Sequence, residues 1–261
     1  MLFQQTRPLR SLSRSALCGL VLCASALCGS AQNFNIDIQR GSSFGTPQNS
    51  YGGAAGQPGE WMIFAKLENQ SKLLKKINGQ WSPATIEWAA LSGAGTYDEA
   101  PLGGPTGGDQ FIHSDYLRGS GSTKLEWSLN NLQPGIYEVF VYTWGGAGDV
   151  DISVDAAPAQ TLPGGTFWQG QIEGVTYSRH QTYVDPATPS MKIRAFGAGG
   201  GGNFHVCGMQ LRLRAPIAAA SIAEASSEPE MRGAAHPLRA LVSQWVDRVR
   251  AWRRESESSS S

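Results

Sequence analysis

The 261-residue chain balances 21 Lys and Arg against 21 Asp and Glu, so no net charge draws it to a polyanion, and nucleic acid is excluded as an electrostatically recruited partner. Of its 32 glycines, 29 fall between Gln32 and Arg214 with no collagen-like period. That excludes a fibrous chain and implies many turns joining many short strands.

Residues 1–31 read as a secretory signal. Arg7, Arg10 and Arg14 form a basic flank, Ala16 to Leu27 is a short apolar run, and Gly29-Ser30-Ala31 is a small-x-small cleavage site. The run is shorter than the roughly 20 residues a bilayer span needs. Cys18, Cys23 and Cys28 lie in this segment, each preceded by Leu rather than by a small residue, which argues against a lipoprotein. Cleavage leaves 18 basic and 21 acidic residues and one cysteine, Cys207, so no disulfide forms within the mature chain. About 200 residues bury enough surface to stand without one. Cys207 sits in an apolar run and reads as a small buried hydrophobe.

Residues 32–214 read as one all-β domain. Asn33 to Gln39 alternates, with Phe34, Ile36 and Ile38 on one face. A Gly/Ser/Pro segment, 41–59, follows, and Trp61 to Leu67 is ambiguous between helix and strand. Asn78-Gly79 then predicts a hairpin with a type I′ turn. Ser92 to Gly108 is a second glycine-rich loop, and Asp109 to Leu117 is read as strand. Lys124 to Leu129 is a strand. Pro134-Gly135 launches the next, Trp144 to Gly148 reverses it, and Asp149 to Val154 alternates strictly. Phe167 to Gly170 is a loop, Gly174 to Val184 and Ser190 to Phe196 are strands, Gly197 to Gly202 is a glycine run, and Phe204 to Leu213 closes the domain. Nine to eleven strands of this kind predict an antiparallel two-sheet jelly-roll sandwich, since each amphipathic strand needs a facing sheet.

Composition shifts at Ala215. Residues 215–235 read as a linker. In 236–261, Leu238, Leu241, Val242, Trp245, Val246, Val249 and Trp252 form one apolar helical stripe on a basic segment ending in serines. Such a helix packs on its own domain, docks on a protein partner, or lies on an anionic membrane surface.

The block Leu132-Gln-Pro-Gly-Ile-Tyr-Glu-Val-Phe-Val-Tyr, the loop Trp144 to Gly148 and the strand Asp149 to Ala156 resemble the middle strands of galactose-binding-like jelly rolls, a class that includes secreted bacterial carbohydrate-binding modules. The glycine run followed by Asn203-Phe-His-Val-Cys-Gly-Met-Gln-Leu-Arg-Leu resembles their closing strand. The layout, with Ser-Tyr-Gly-Gly-Ala-Ala-Gly-Gln-Pro-Gly at Ser50 to Gly59, is also similar to uncharacterised exported proteins. The resemblance implies a secreted or cell-envelope module that binds polysaccharide or glycan on loop-tip aromatics and often carries a structural calcium ion.

The residues offer three chemistries. Asp149, Asp151, Ser153 and Asp155 share one face of an alternating strand and suit calcium only with help from a loop, because carboxylates two apart on a strand are about 7 Å apart. Otherwise they are a solvated face. Asp109, His113 and Asp115 form the best acid/base candidates, on one strand face with Phe111. No nucleophile elbow or His-Glu-x-x-His accompanies them, so a hydrolase ranks last. Tyr51, Trp144 and Trp168 sit beside glycines, where flat rings can stack on sugars while Gln169 and Asp149 bond hydroxyls; the competing reading makes the two tryptophans end plugs of the sandwich. The expected function is a non-catalytic carbohydrate-binding or cell-surface module. The alternative is a structural or adhesion protein of the envelope whose C-terminal helix docks on a partner or membrane.

Overall fold

A computed structural model describes residues 31–39, 45–99, 104–165, 167–198 and 202–216. Residues 1–30 of the expected signal, the expected linker from 217 onward and the C-terminal helix lie outside the described residues, while Ala215 and Pro216, read as the start of the linker, end a strand paired with Gly135 and Ile136. Fourteen strands are present, more than the nine to eleven expected, because several are only three or four residues long.

Sheet I holds five strands, in the order β11 (Tyr177–Val184), β8 (Gly135–Tyr142), β14 (Gly208–Pro216), β1 (Phe34–Ile38) and β2 (Trp61–Phe64). Sheet II holds six, in the order β10 (Gln160–Leu162), β9 (Val150–Val154), β12 (Ser190–Gly197), β7 (Lys124–Asn130), β4 (Trp81–Ser92) and β3 (Lys72–Lys75). Sheet III is a three-stranded annex of β13 (Phe204–Val206), β6 (Asp115–Gly119) and β5 (Thr96–Glu99). The pairings are antiparallel apart from β1 with β2. The fold is the all-β, antiparallel sandwich that the alternation predicts.

Alternate residues of sheets I and II interleave between them. Phe34, Ile36, Tyr137, Val139 and Leu211 from one sheet meet Ile86, Trp88, Trp127, Ile152 and Ile193 from the other in a single cluster. Trp127 is fully buried, in register with Trp88 on one side and Ile193 on the other. Its burial contributes on the order of 3 kcal/mol.

Three local readings differ from the structure. Asn78-Gly79 does sit in the β3–β4 hairpin, but only Gly79 has positive φ, at 85°. The Gly79 amide donates to the Lys76 carbonyl and the Lys76 amide to the Gln80 carbonyl, each at 2.8 Å. This is an ordinary turn closed by a left-handed glycine, not type I′. Residues 109–117 are not one strand: Gly108–Ser114 is a short helix, α1, and β6 starts at Asp115. The closing strand is two strands in different sheets, β13 and β14, divided at the fully buried Cys207, whose thiol is pushed up to about 12 by burial.

The outer face of sheet I is covered. Alternation assigns Asn35, Asp37 and Gln210 to solvent, yet all three are fully buried. The segment 45–60 supplies partners for Asn35 and Gln210. Gln57 Nε2 donates to Asn35 Oδ1 (2.8 Å) and the Phe34 carbonyl (3.0 Å), and Gln210 Nε2 donates to Asn35 Oδ1 (2.8 Å) and the Gly52 carbonyl (2.9 Å). Asp37 is held by Gln39 at 2.9 Å. Burial first, then the nearby Asp115 carboxylate, raises its pKa well above the ordinary 3.8, against the hydrogen bond from Gln39. A folded pKa above the unfolded one gives stability that is complete below pH 3.8 and lost as pH rises through the folded value. Asp37→Asn is therefore expected to stabilise the domain near pH 7, by about 1–3 kcal/mol, and to flatten this dependence. Urea melts of both proteins at acidic and neutral pH measure it; a variant less stable than the wild type at pH 7 contradicts it.

Candidate functional site

The segment 48–60 positions the first candidate side chain. Trp61 Nε1 donates to the Tyr51 carbonyl at 3.1 Å, and the two rings lie 5.6 Å apart. Gly108, opening α1, lies against the Tyr51 ring so closely that a Cβ there would come within 2.2 Å of it. Only glycine permits this approach. The contact sets the helix beside Tyr51, so that the Tyr51 hydroxyl donates to Asp109 Oδ1 at 2.5 Å. Burial first, and then the bond to Asp109, raises the phenol pKa far above its usual value, so it stays a donor.

Asp109 and His113 are one helical turn apart and share a face of α1. Gln171, from the loop before β11, closes the group. Its Nε2 donates to Asp109 Oδ1 (2.8 Å) and Tyr51 Oη (3.1 Å) and lies 3.4 Å from His113 Nε2. The His113 ring is fully buried, with Trp168 at 5.0 Å, Trp144 at 5.9 Å and Tyr142 at 5.9 Å, all edge-on. Trp144 and Trp168 are 5.1 Å apart, also edge-on. Burial lowers the His113 pKa to about 3, so the imidazole is neutral at physiological pH.

The structure thus joins two sets that the sequence keeps apart. Tyr51, Trp144 and Trp168 meet Asp109 and His113 in one cluster. Trp144 is buried and braces Trp168 instead of presenting a face of its own. Trp168 is part-exposed, Gln169 beside it is exposed, and Phe167 is 87% exposed. Phe167 and Gln171 are the residues that sequence reading missed. The signal for them is the run Phe167-Trp-Gln-Gly-Gln171, two rings followed by two amides around a glycine. Asp149 is exposed, but its Oδ1 accepts from the Gly164 amide at 2.8 Å, so it ties that loop to the 144–149 loop.

The remaining candidates separate. Because 108–114 is helical, the strand face expected to join Asp109, Phe111, His113 and Asp115 does not form; Asp115 is buried at the head of β6 and acts electrostatically on Asp37 and Cys207. The aspartate row on β9 is also divided. Asp151 accepts from the Thr161 hydroxyl at 2.5 Å. Asp155, at φ 51°, has left the strand and accepts from the Lys192 amide (2.8 Å) and the Thr182 hydroxyl (2.7 Å). Among the described residues no three His, Cys, Asp or Glu side chains are arranged to hold a metal ion.

No protein-family model and no curated protein matches the sequence. Solved structures similar to the chain include carbohydrate-binding modules and parts of glycosidases. A family 35 carbohydrate-binding module from Clostridium thermocellum is 14% identical, with a TM-score of 0.32 over 50% of this chain and 98% of that one. The CBM22-1 xylan-binding domain of Xyn10C from Paenibacillus barcinonensis is 14% identical, with a TM-score of 0.32 over 48% of this chain and 85% of that one. Bacteroides uniformis β-glucuronidase 2 is 12% identical, with a TM-score of 0.38 over 73% of this chain and 18% of that one.

Chemically, the cluster is a hydrogen-bonded group backed by aromatic rings. Asp109 is held by two donors, and the imidazole is neutral and enclosed. Phe167 and Gln169 are exposed, and Trp168, Tyr51, Asp109 and Gln171 are part-exposed.

Proposed function

We propose that the domain is an exported, non-catalytic module that binds carbohydrate at the loop carrying Phe167 and Trp168. The observation that carries this reading is a largely exposed phenylalanine next to a part-exposed tryptophan whose ring is fixed from behind by His113 and Trp144. A braced aromatic face loses little freedom on binding and stacks on the apolar face of a sugar ring, while Gln169 is placed for hydroxyls. Export rests on the basic and apolar pattern of residues 1–31. Calcium, which the resemblance implies, enters the assay as a variable.

Glycan-array binding of the full chain, with and without calcium, tests the proposal. Trp168→Ala is expected to weaken binding at least about tenfold, equal to 1.4 kcal/mol. Retention by neither the wild type nor any variant across a broad panel removes the carbohydrate reading. It then favours the envelope structural or adhesion role, in which the basic apolar stripe of 236–261 docks on a partner or membrane surface.

A further inference from the structure

The outer face of sheet II carries a second feature, away from the aromatic loop. Strand alternation puts Lys124 and Glu126 of β7, and Lys192, Arg194 and Phe196 of β12, on this face. The register places Phe196 opposite Lys124, Arg194 opposite Glu126 and Lys192 opposite Ser128. On the other side of β7 the ladder with β4 is broken between Ala90 and Ser92, so that Leu91 and Ser92 together oppose Lys124. Such a bulge turns a side chain out of the alternation. Leu91 is accordingly 56% exposed. It borders a cleft of about 240 Å3 lined by Leu91, Leu125, Phe196, Lys124 and Arg194.

Charge on this patch is uneven. Glu126 is shared by two cations, bonding Lys192 Nζ and Arg194 Nε at 2.8 and 2.7 Å. Asp151, in register with Phe196, is engaged by Thr161. Lys124 is exposed and makes no side-chain hydrogen bond or ion pair among the described residues. The cleft therefore has an apolar floor, two cations at its rim and no carboxylate in its lining. Its volume is below the roughly 300–1,000 Å3 of pockets that enclose drug-sized ligands, so it takes one ring, not a large molecule.

We propose that this cleft is a second ligand site, taking an acidic sugar residue of a polysaccharide, with the ring against Leu91 and Phe196 and its anionic group on Lys124. The sugar class rests on the carbohydrate reading above; the site and its charge preference do not. A carboxylate and a sulfate ester present the same chemistry to Lys124, and the experiment distinguishes them.

The test titrates the full chain with polygalacturonate, dextran sulfate and a neutral galactan at low ionic strength. Wild type is compared with Lys124→Glu, Phe196→Ala, Trp168→Ala and the control Lys76→Glu. Lys76 lies in the turn at the other end of β4, about 30 Å of strand from Leu91, so its reversal makes the same charge change elsewhere. Thermal melts confirm folding; Lys124, being exposed, tolerates substitution. The expected result is a loss of at least tenfold in acidic-polysaccharide affinity for Lys124→Glu and a several-fold loss for Phe196→Ala, with Lys76→Glu close to wild type and the loss in Trp168→Ala falling on the neutral galactan. A preference for polygalacturonate identifies a carboxylate, and a preference for dextran sulfate a sulfate. Equal losses for Lys124→Glu and Lys76→Glu would show general charge attraction and overturn the site, as would wild-type affinity in Lys124→Glu or no acidic binding at all. Acidic binding that depends on Lys124, with no neutral binding, leaves this site standing and sinks the aromatic-loop site. Binding of every ligand lost in Trp168→Ala does the reverse.

Discussion

Acidification from pH 6.5 to about 4.5 is expected to unfold the domain. Three buried histidines drive this. Burial lowers His113 to about 3, His180 to about 4 and His205 to about 4, the last with help from the nearby Arg118 charge. In the unfolded chain each titrates near 6.5. A folded pKa below the unfolded one means that the unfolded state binds more protons throughout this window. The stability is complete above pH 6.5 and is lost as pH falls toward 4. Three such groups give a slope of at most about 4 kcal/mol per pH unit, against a total stability of about 5–15 kcal/mol. His180 and His205 keep slight solvent access, so their share is smaller than that of His113. Asp37 works in the opposite sense but cannot offset three groups. The ion-paired carboxyls of Glu126 and Glu138, held below their usual value by Lys192 and Arg194 and by Arg179 and Arg212 despite partial burial, add to the loss at the acid end. Urea midpoints across pH 4.5–7.5 measure the slope, and His113→Gln should remove about one proton's worth. A stability that stays level through this range would show that the histidines accept protons without unfolding.

Gly53→Ala is expected to cost about 2–4 kcal/mol and to disable the aromatic site from a distance. Gly53 has φ 56°, and a Cβ there would come within 2.5 Å of both Gln210 Oε1 and the Tyr142 hydroxyl. Neither neighbour can withdraw. Tyr142 donates to Gln210 Oε1 and accepts from the Ala54 amide at 2.7 Å, and Gln210 Oε1 also accepts from the Ala55 amide at 3.0 Å. Separating these groups leaves buried polar atoms unpaired, the expensive failure. The segment carrying Tyr51 then lifts from sheet I, and the hydroxyl that fixes Asp109 and Gln171 is lost. A lower melting temperature together with faster amide exchange at 50–57 would support this. A variant with wild-type melting and glycan affinity would show that the segment tolerates displacement.

The sheets were legible in the sequence wherever one face of a strand meets the core and the other meets water. The runs at Lys124–Asn130 and Ser190–Gly197 satisfy that condition. It fails on β1, β8 and β14, whose outer residues Asn35, Asp37, Glu138, Phe140 and Gln210 look like solvent-facing positions but are buried, Asn35 and Gln210 against the 45–60 segment. No local signal marks that cover, because it is made by residues from 22 to 158 positions away in the chain. The helix α1 was invisible for a similar reason. It has seven residues and follows Gly107 with no side-chain cap, so packing against Tyr51, not local propensity, sets it. Rings beside glycines singled out Tyr51, Trp144 and Trp168, which the structure gathers in one cluster around His113 and Gln171. Their convergence was not readable, because Tyr51 and Gln171 are 120 residues apart.

The first and last strands of the sandwich are neighbours. β1 runs antiparallel to β14, and the Leu213 amide donates to Asn33 Oδ1 at 2.8 Å. The polypeptide therefore arrives and departs at one point on the surface. Geometrically, a unit of this kind can be spliced into a surface loop of a host protein, or strung beside other units, without pulling its ends apart. Its attachment and its recognition surfaces can then change independently.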